Sequence, residues 1–132
     1  NIKIIIKNGL KVTCTINETE AWEKSINIFF LKGVGFSGYG YQNPILSNDL
    51  KRILIGYINP SLINKNRNIL EIDLKSGIVI NKIKNATDYS YSNDSELILY
   101  KNKNNVLSIF NRMKKKSINY CGWKNAFWLI KN

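Results

Sequence analysis

Apolar residues recur along this chain in two rhythms, every second position and every third or fourth, and these rhythms predict its elements. The opening runs Ile2–Lys7 and Leu10–Ile16 are β-branched and flank Asn8-Gly9. That dipeptide tolerates positive φ at both centres of a type I′ turn, so the two runs read as a β-hairpin. The next stretch has the helical rhythm. Trp22, Ile26 and Phe29 are spaced three or four apart, Asn17 with Glu20 matches a capping box, and Glu18, Glu20 and Glu23 fall where a helix N-terminus favours negative charge. Glu20 and Lys24 add a supportive i,i+4 pair. Leu46, Leu50, Ile53, Leu54 and Tyr57 predict a second amphipathic helix, starting near Pro44 and stopped by Asn59-Pro60, with Lys51 and Arg52 on its exposed face.

The strand rhythm then returns. Leu70, Ile72 and Leu74 alternate with Glu71, Asp73 and Lys75, and the segment ILEIDL-KSG-IVINKI predicts a hairpin. ELILYKNKNNVLSIF predicts a further pair of strands turning within Asn102–Asn105. The last segment, Arg112–Ile130, begins basic and ends apolar, which suits a return into the core. Gly33–Gly40 contains G-x-G, but no Lys-Ser/Thr follows, so it is neither a Walker loop nor a dinucleotide fingerprint. Beyond the hairpin rhythm no internal repeat stands out, and no linker divides the chain. The expectation is one domain, 1–132, of the α+β class: an N-terminal β-hairpin and two helices packed on an antiparallel sheet of hairpin-connected strands.

Composition sharpens the functional question. The chain has 20 Lys+Arg, 9 Asp+Glu and no histidine, for a net charge of +11. Without an imidazole, Ser-His-Asp and Cys-His hydrolases, paired-histidine ribonucleases, HNH nucleases and zinc deaminases are excluded. All nine acids lie between Glu18 and Glu96, and from Leu97 to Asn132 there are eight basic residues and no acid. Such polarity points to a polyanion, although Arg52, Arg67 and Arg112 are the only arginines and an AT-rich genome would also enrich lysine and asparagine. No apolar run approaches membrane-spanning length and no amphipathic helix adjoins the basic run, so membrane insertion is not expected. A start at Asn1 reads as a soluble fragment of a larger exported protein. Cys14 and Cys121 have no metal-ligand spacing; they would be a single disulfide or two buried thiols.

Three constellations could carry chemistry. Lys101, Lys103, Lys116, Trp123 and Lys124 join phosphate-tracking cations to a stacking ring, with Lys51 and Arg52 as positioning cations. Asp73-Leu74-Lys75 with Glu71 and an upstream Asp49 follows a D-x-K nuclease pattern in which Asp49 and Asp73 would hold Mg²⁺. Third, RNA can be cleaved without metal or histidine where fixed cations meet the developing charge and a carboxylate or tyrosine moves the proton. Arg112, Lys114 and Lys115 would stabilise that charge, Tyr120 would transfer a proton or stack, and Glu71 or Asp73 would act as base.

The hairpin LEIDLKSGIVINKIKN, with Lys51 and Arg52 before it and a basic-aromatic segment after it, resembles the barnase/EndoU/colicin/RelE class of small toxin ribonucleases. That resemblance implies a metal-independent endoribonuclease that cleaves tRNA or another structured RNA in a target-cell cytoplasm and is restrained by an acidic immunity protein. The other readings are a non-enzymatic RNA- or DNA-binding module and a protein-interaction domain.

Overall fold

The computed structural model describes residues 1–26, 40–59 and 66–119, and every regular element among them is a β-strand. The α+β expectation is therefore corrected to three antiparallel sheets. Among the described residues no helix is long and apolar enough to cross a membrane.

The first sheet is β1 (Ile2–Lys7), β2 (Lys11–Ile16) and β3 (Thr19–Ser25), in that order. Its first turn is the expected one, with Asn8 at φ 56°, Gly9 at φ 72° and the Leu10 amide donating to the Lys7 carbonyl at 3.0 Å. The first predicted helix is instead β3. Asn17 and Glu18 both have positive φ, 50° and 68°, so the apparent capping box is a second tight turn. The acids after it lie on exposed strand positions, where Glu23 pairs with Lys11 across the sheet at 3.2 Å. Trp22 is the one buried residue of the strand. Phe29 lies outside the described residues.

The second sheet runs β4 (Gly40–Leu46), β5 (Arg52–Ile58), β6 (Arg67–Asp73), β7 (Val79–Lys84). The second predicted helix is the β4–β5 hairpin. Ile53, Leu54 and Ile55 are all fully buried, because β5 is covered on both faces. A continuous apolar run has no period that separates such a strand from a helix. Pro44 sits in the bulge between Gln42 and Ile45, where its missing N–H removes no ladder bond. The third sheet runs β8 (Ala86–Tyr91), β9 (Leu97–Asn102), β10 (Leu107–Asn111), β11 (Lys116–Asn119), and Asn85 alone separates β7 from β8.

The second sheet stands between the other two. Ile53, Ile55, Leu70, Ile72 and Leu74 pack on Val12, Cys14 and Trp22 of the first sheet. Leu54, Ile69 and Ile83 pack on Ala86, Ile98, Tyr100 and Phe110 of the third. The alternation of Leu70, Ile72 and Leu74 is thus as expected, but the opposite face of β6 is buried too. Gly77, at φ 74°, lets the β6–β7 turn pass under Trp22, where a Cβ would come within 2.6 Å of the indole.

The second and third sheets repeat one another, which corrects the reading of no internal repeat. Ser47-Asn48-Asp49 and Ser92-Asn93-Asp94, 45 positions apart, open the first turn of each sheet. In each, the serine hydroxyl donates to the aspartate at 2.6 Å and accepts the amide of Arg52 or Leu97 at 3.0 and 3.1 Å. The bulges repeat at the same spacing, with Asn43 and Asp88 at φ 49° and 51°. Past the longer β5–β6 connection the spacing becomes 38, so Asp73–Gly77 corresponds to Asn111–Lys115, and each of these turns closes with an amide-to-carbonyl bond, at 2.9 and 2.8 Å.

Candidate functional site

The repeat brings one set of positions to both seams between sheets, and the two seams differ in chemistry. At the first seam the register partners Cys14 and Trp22 receive Leu74: the Trp22 indole N–H donates to the Leu74 carbonyl at 2.7 Å, and the Cys14 thiol lies 3.7 Å from it. Burial pushes the Cys14 thiol pKa up. Cys14 is a free thiol, and Cys121 lies outside the described residues.

At the second seam the register partners are Glu71 and Asn81, and the residue they receive is Arg112, the counterpart of Leu74. Glu71 is 1% exposed. Its carboxylate accepts Arg112 Nε at 2.8 Å on both oxygens, Asn81 Nδ2 at 2.9 Å, and the Tyr91 hydroxyl. Arg52 Nε stands 3.8 Å away with no hydrogen-bond partner, while its Nη2 reaches Asp49 and the Ser95 carbonyl, each at 3.3 Å. Lys115 Nζ completes the group by donating to Asn81 Oδ1 at 2.7 Å. Burial, reinforced by the bond to Glu71, holds the Tyr91 phenol far above its ordinary pKa, so it is a fixed donor.

A second tyrosine closes the same seam further along. The Tyr89 hydroxyl accepts the Gly56 amide at 2.7 Å and faces the Gln42 and Asn43 carbonyls at 3.0 and 2.6 Å, inside the β4 bulge. Burial pushes its pKa up to about 12. The Gly56 position has no room for a side chain beside this ring without displacement, since a Cβ would stand 3.0 Å from the hydroxyl.

Four of the sequence-predicted residues, Glu71, Arg52, Arg112 and Lys115, therefore meet in a clasp between strands, with Glu71 buried, the two arginines partly buried and Lys115 exposed at its edge. Apart from Asp49, which reaches Arg52, the others are dispersed. Asp73 accepts the amide and hydroxyl of Ser76 in its own turn, at 2.9 and 2.8 Å, and Asp49 is held by Ser47; these bonds keep both carboxyls below the usual range. Among the described residues no three ligand-type side chains come together around a possible metal position. Lys51, Lys103, Lys114 and Lys116 are exposed, and Lys101 faces Asp88 at 3.7 Å. Tyr120, Trp123 and Lys124 lie outside the described residues. The acid-free third is thus partly neutralised from elsewhere, Arg112 by Glu71 and Lys101 by Asp88.

Sequence reasoning missed Asn81, Tyr89 and Tyr91. The signal for the tyrosines is their two-residue spacing, hidden because Asn85–Ser95 reads as a polar loop.

No protein-family model matches the chain, and no curated protein matches it. Among solved structures it is similar to the β-propeller domain of the trilobed protease from Pyrococcus furiosus, described as having an open velcro topology, at 19% identity and a TM-score of 0.52. The likeness covers 83% of this chain and 34% of that one, so the chain spans about a third of its neighbour's length. At that identity the likeness bears on fold alone: stacked antiparallel sheets of a propeller-like kind. It overturns the resemblance to barnase/EndoU/colicin/RelE-type ribonucleases, whose helix-and-sheet architecture is absent from the described residues. The LEIDLKSGIVINKIKN hairpin exists, as β6–β7, but as half of a sheet in an all-β stack. The toxin-ribonuclease function and its RNA-binding alternative lose their ground with it, as does the reason for expecting an immunity partner.

Proposed function

We propose that this chain is an architectural segment of a β-propeller, a stack of sheets that provides a rigid wall for a larger protein. The observation that carries the reading is the fate of Glu71. The one buried carboxylate among the described residues is flanked by two arginines and a tyrosine drawn from both sheets, and its bonds run across the seam. A carboxylate serving as a base needs an open lone pair and access to substrate; Glu71 is 1% exposed and engaged on both oxygens. The neighbouring propeller that it resembles is itself a domain of a protease. A propeller segment placed beside a separate activity fits that precedent.

Glu71→Gln tests the reading. It removes the charge that faces Arg112, leaves Arg52 paired with Asp49, and is expected to cost about 3–5 kcal/mol in urea unfolding. A combined Glu71→Leu, Arg112→Met, Tyr91→Phe variant removes the carboxylate with its Arg112 and Tyr91 partners, leaves Arg52 its bond to Asp49, and is expected to recover part of that loss. Turnover of an ester, phosphoester, peptide or glycoside substrate that disappears with Glu71→Gln while the fold persists would overturn the proposal.

A further inference from the structure

At the opposite end of the same seam, where β5 ends, β6 begins and β8 starts, two adjoining hollows share Arg67 and Thr87. The outer one has a volume of about 300 Å³ and is bordered by Lys103 as well as Arg67. Neither cation makes an ion pair among the described residues. Asn68, on the wall of the inner hollow, is only 7% exposed. Its amide oxygen accepts the Asn85 backbone N–H at 3.2 Å. That bond holds the amide oxygen, and Nδ2 has no partner among the described residues. The acid on that wall, Asp88, is largely exposed and lies 3.7 Å from Lys101. Two cations without ion pairs among the described residues and a side-chain amide held by its oxygen therefore border these hollows, and Asp88 is the one carboxylate on their walls.

We propose that these two hollows, joined at Arg67 and Thr87, bind a small ligand through an oxyanion group: a carboxylate, sulfate or phosphate. Arg67 supplies a planar fork, Asn68 Nδ2 a preset donor, and Lys103 a second charge at the mouth. The site shares no residue with the Glu71 clasp, and it survives or fails independently of the architectural reading.

The test is a titration followed by the NMR signals of the Asn68 side-chain amide, with sodium sulfate, phosphate and glucuronate as probes and ionic strength held constant with chloride. A saturable shift is expected with at least one probe. Arg67→Gln should weaken it about tenfold, the loss of one charge-assisted hydrogen bond, and Lys24→Gln, a distant cation, should leave it unchanged. Arg67 is exposed, so its replacement leaves the core intact. Tighter binding of glucuronate assigns the ligand to carboxylated sugars, and tighter binding of sulfate or phosphate to tetrahedral anions; either supports the site. A shift that never saturates, or equal weakening by the two variants, would overturn it.

Discussion

A serine two residues ahead of an aspartate does the same work twice in this molecule. Ser47 and Ser92 each donate to the aspartate and accept a backbone amide from the far side of the turn, while Asp49 and Asp94 accept the amides of Lys51 and Glu96 at 3.1 and 3.0 Å. The turns also touch one another: the Asn48 amide donates to Ser95 Oγ at 3.1 Å. The serine hydroxyl is the chief reason that both carboxyls lie below their usual range. A carboxyl lowered by folding adds stability above its unfolded pKa, about 3.9, and loses it as pH falls through the lower folded value. Asp49→Asn with Asp94→Asn retains an acceptor oxygen but cannot titrate. The double variant is therefore expected to lose less thermal stability than the parent between about pH 5 and about pH 2. Melting curves across that range check it, and parallel acid limbs would refute it.

At the scale of elements, the two seams set Leu74 against Arg112, and Cys14 with Trp22 against Glu71 with Asn81, at equivalent register positions. An apolar seam and a charged one are poor substitutes for each other, so mismatched stacking of these similar sheets is penalised. Leu74→Arg would bury a guanidinium among Cys14 and Trp22 and is expected to cost about 3–5 kcal/mol. Adding Cys14→Glu recreates the partner that Arg112 has and should restore about 1–3 kcal/mol, measured as coupling in a double-mutant cycle. Zero coupling would show that the equivalence is one of backbone alone. These elements also mark how far the sequence could be read. The Asn8-Gly9 and Lys75–Gly77 turns were legible because their residues specify local geometry. β5 was not, because burial on both faces erases its alternation. β3 was not, because four of its seven positions are glutamate, lysine or serine and only Trp22 anchors it. Glu71, Arg52, Arg112 and Lys115 were singled out for their chemistry, but their meeting depends on the third sheet folding back on the second, which spacing along one chain does not encode. The SND repeat was present in the letters and is the clearest signal left unread.

Over the whole molecule the dominant electrostatic fact is a net charge of +11 with few partners for it. Among the described residues the ion pairs are Lys11–Glu23, Lys101–Asp88, Arg52 with Asp49 and Glu71, and Arg112 with Glu71. The exposed pairs among these contribute little, whereas unpaired lysines repel one another in the folded state more than in an expanded chain. Salt acts on the two populations differently. At about 0.1 M the Debye length is about 10 Å, which screens exposed charges and leaves the buried Glu71 clasp nearly untouched. Net repulsion predicts that the thermal midpoint rises as sodium chloride goes from about 10 mM to about 150 mM. Lys114 and Lys116 are exposed cations. Changing both to glutamate lowers the net charge from +11 to +7, because each substitution removes one positive and adds one negative charge. That variant is expected to melt higher than the parent at low salt and to respond less to added salt, with the two proteins converging near 150 mM, about the physiological ionic strength. A midpoint that falls with salt would mean that attractive surface pairs outweigh repulsion, and the lysine excess would then be a stabilising feature of the stack.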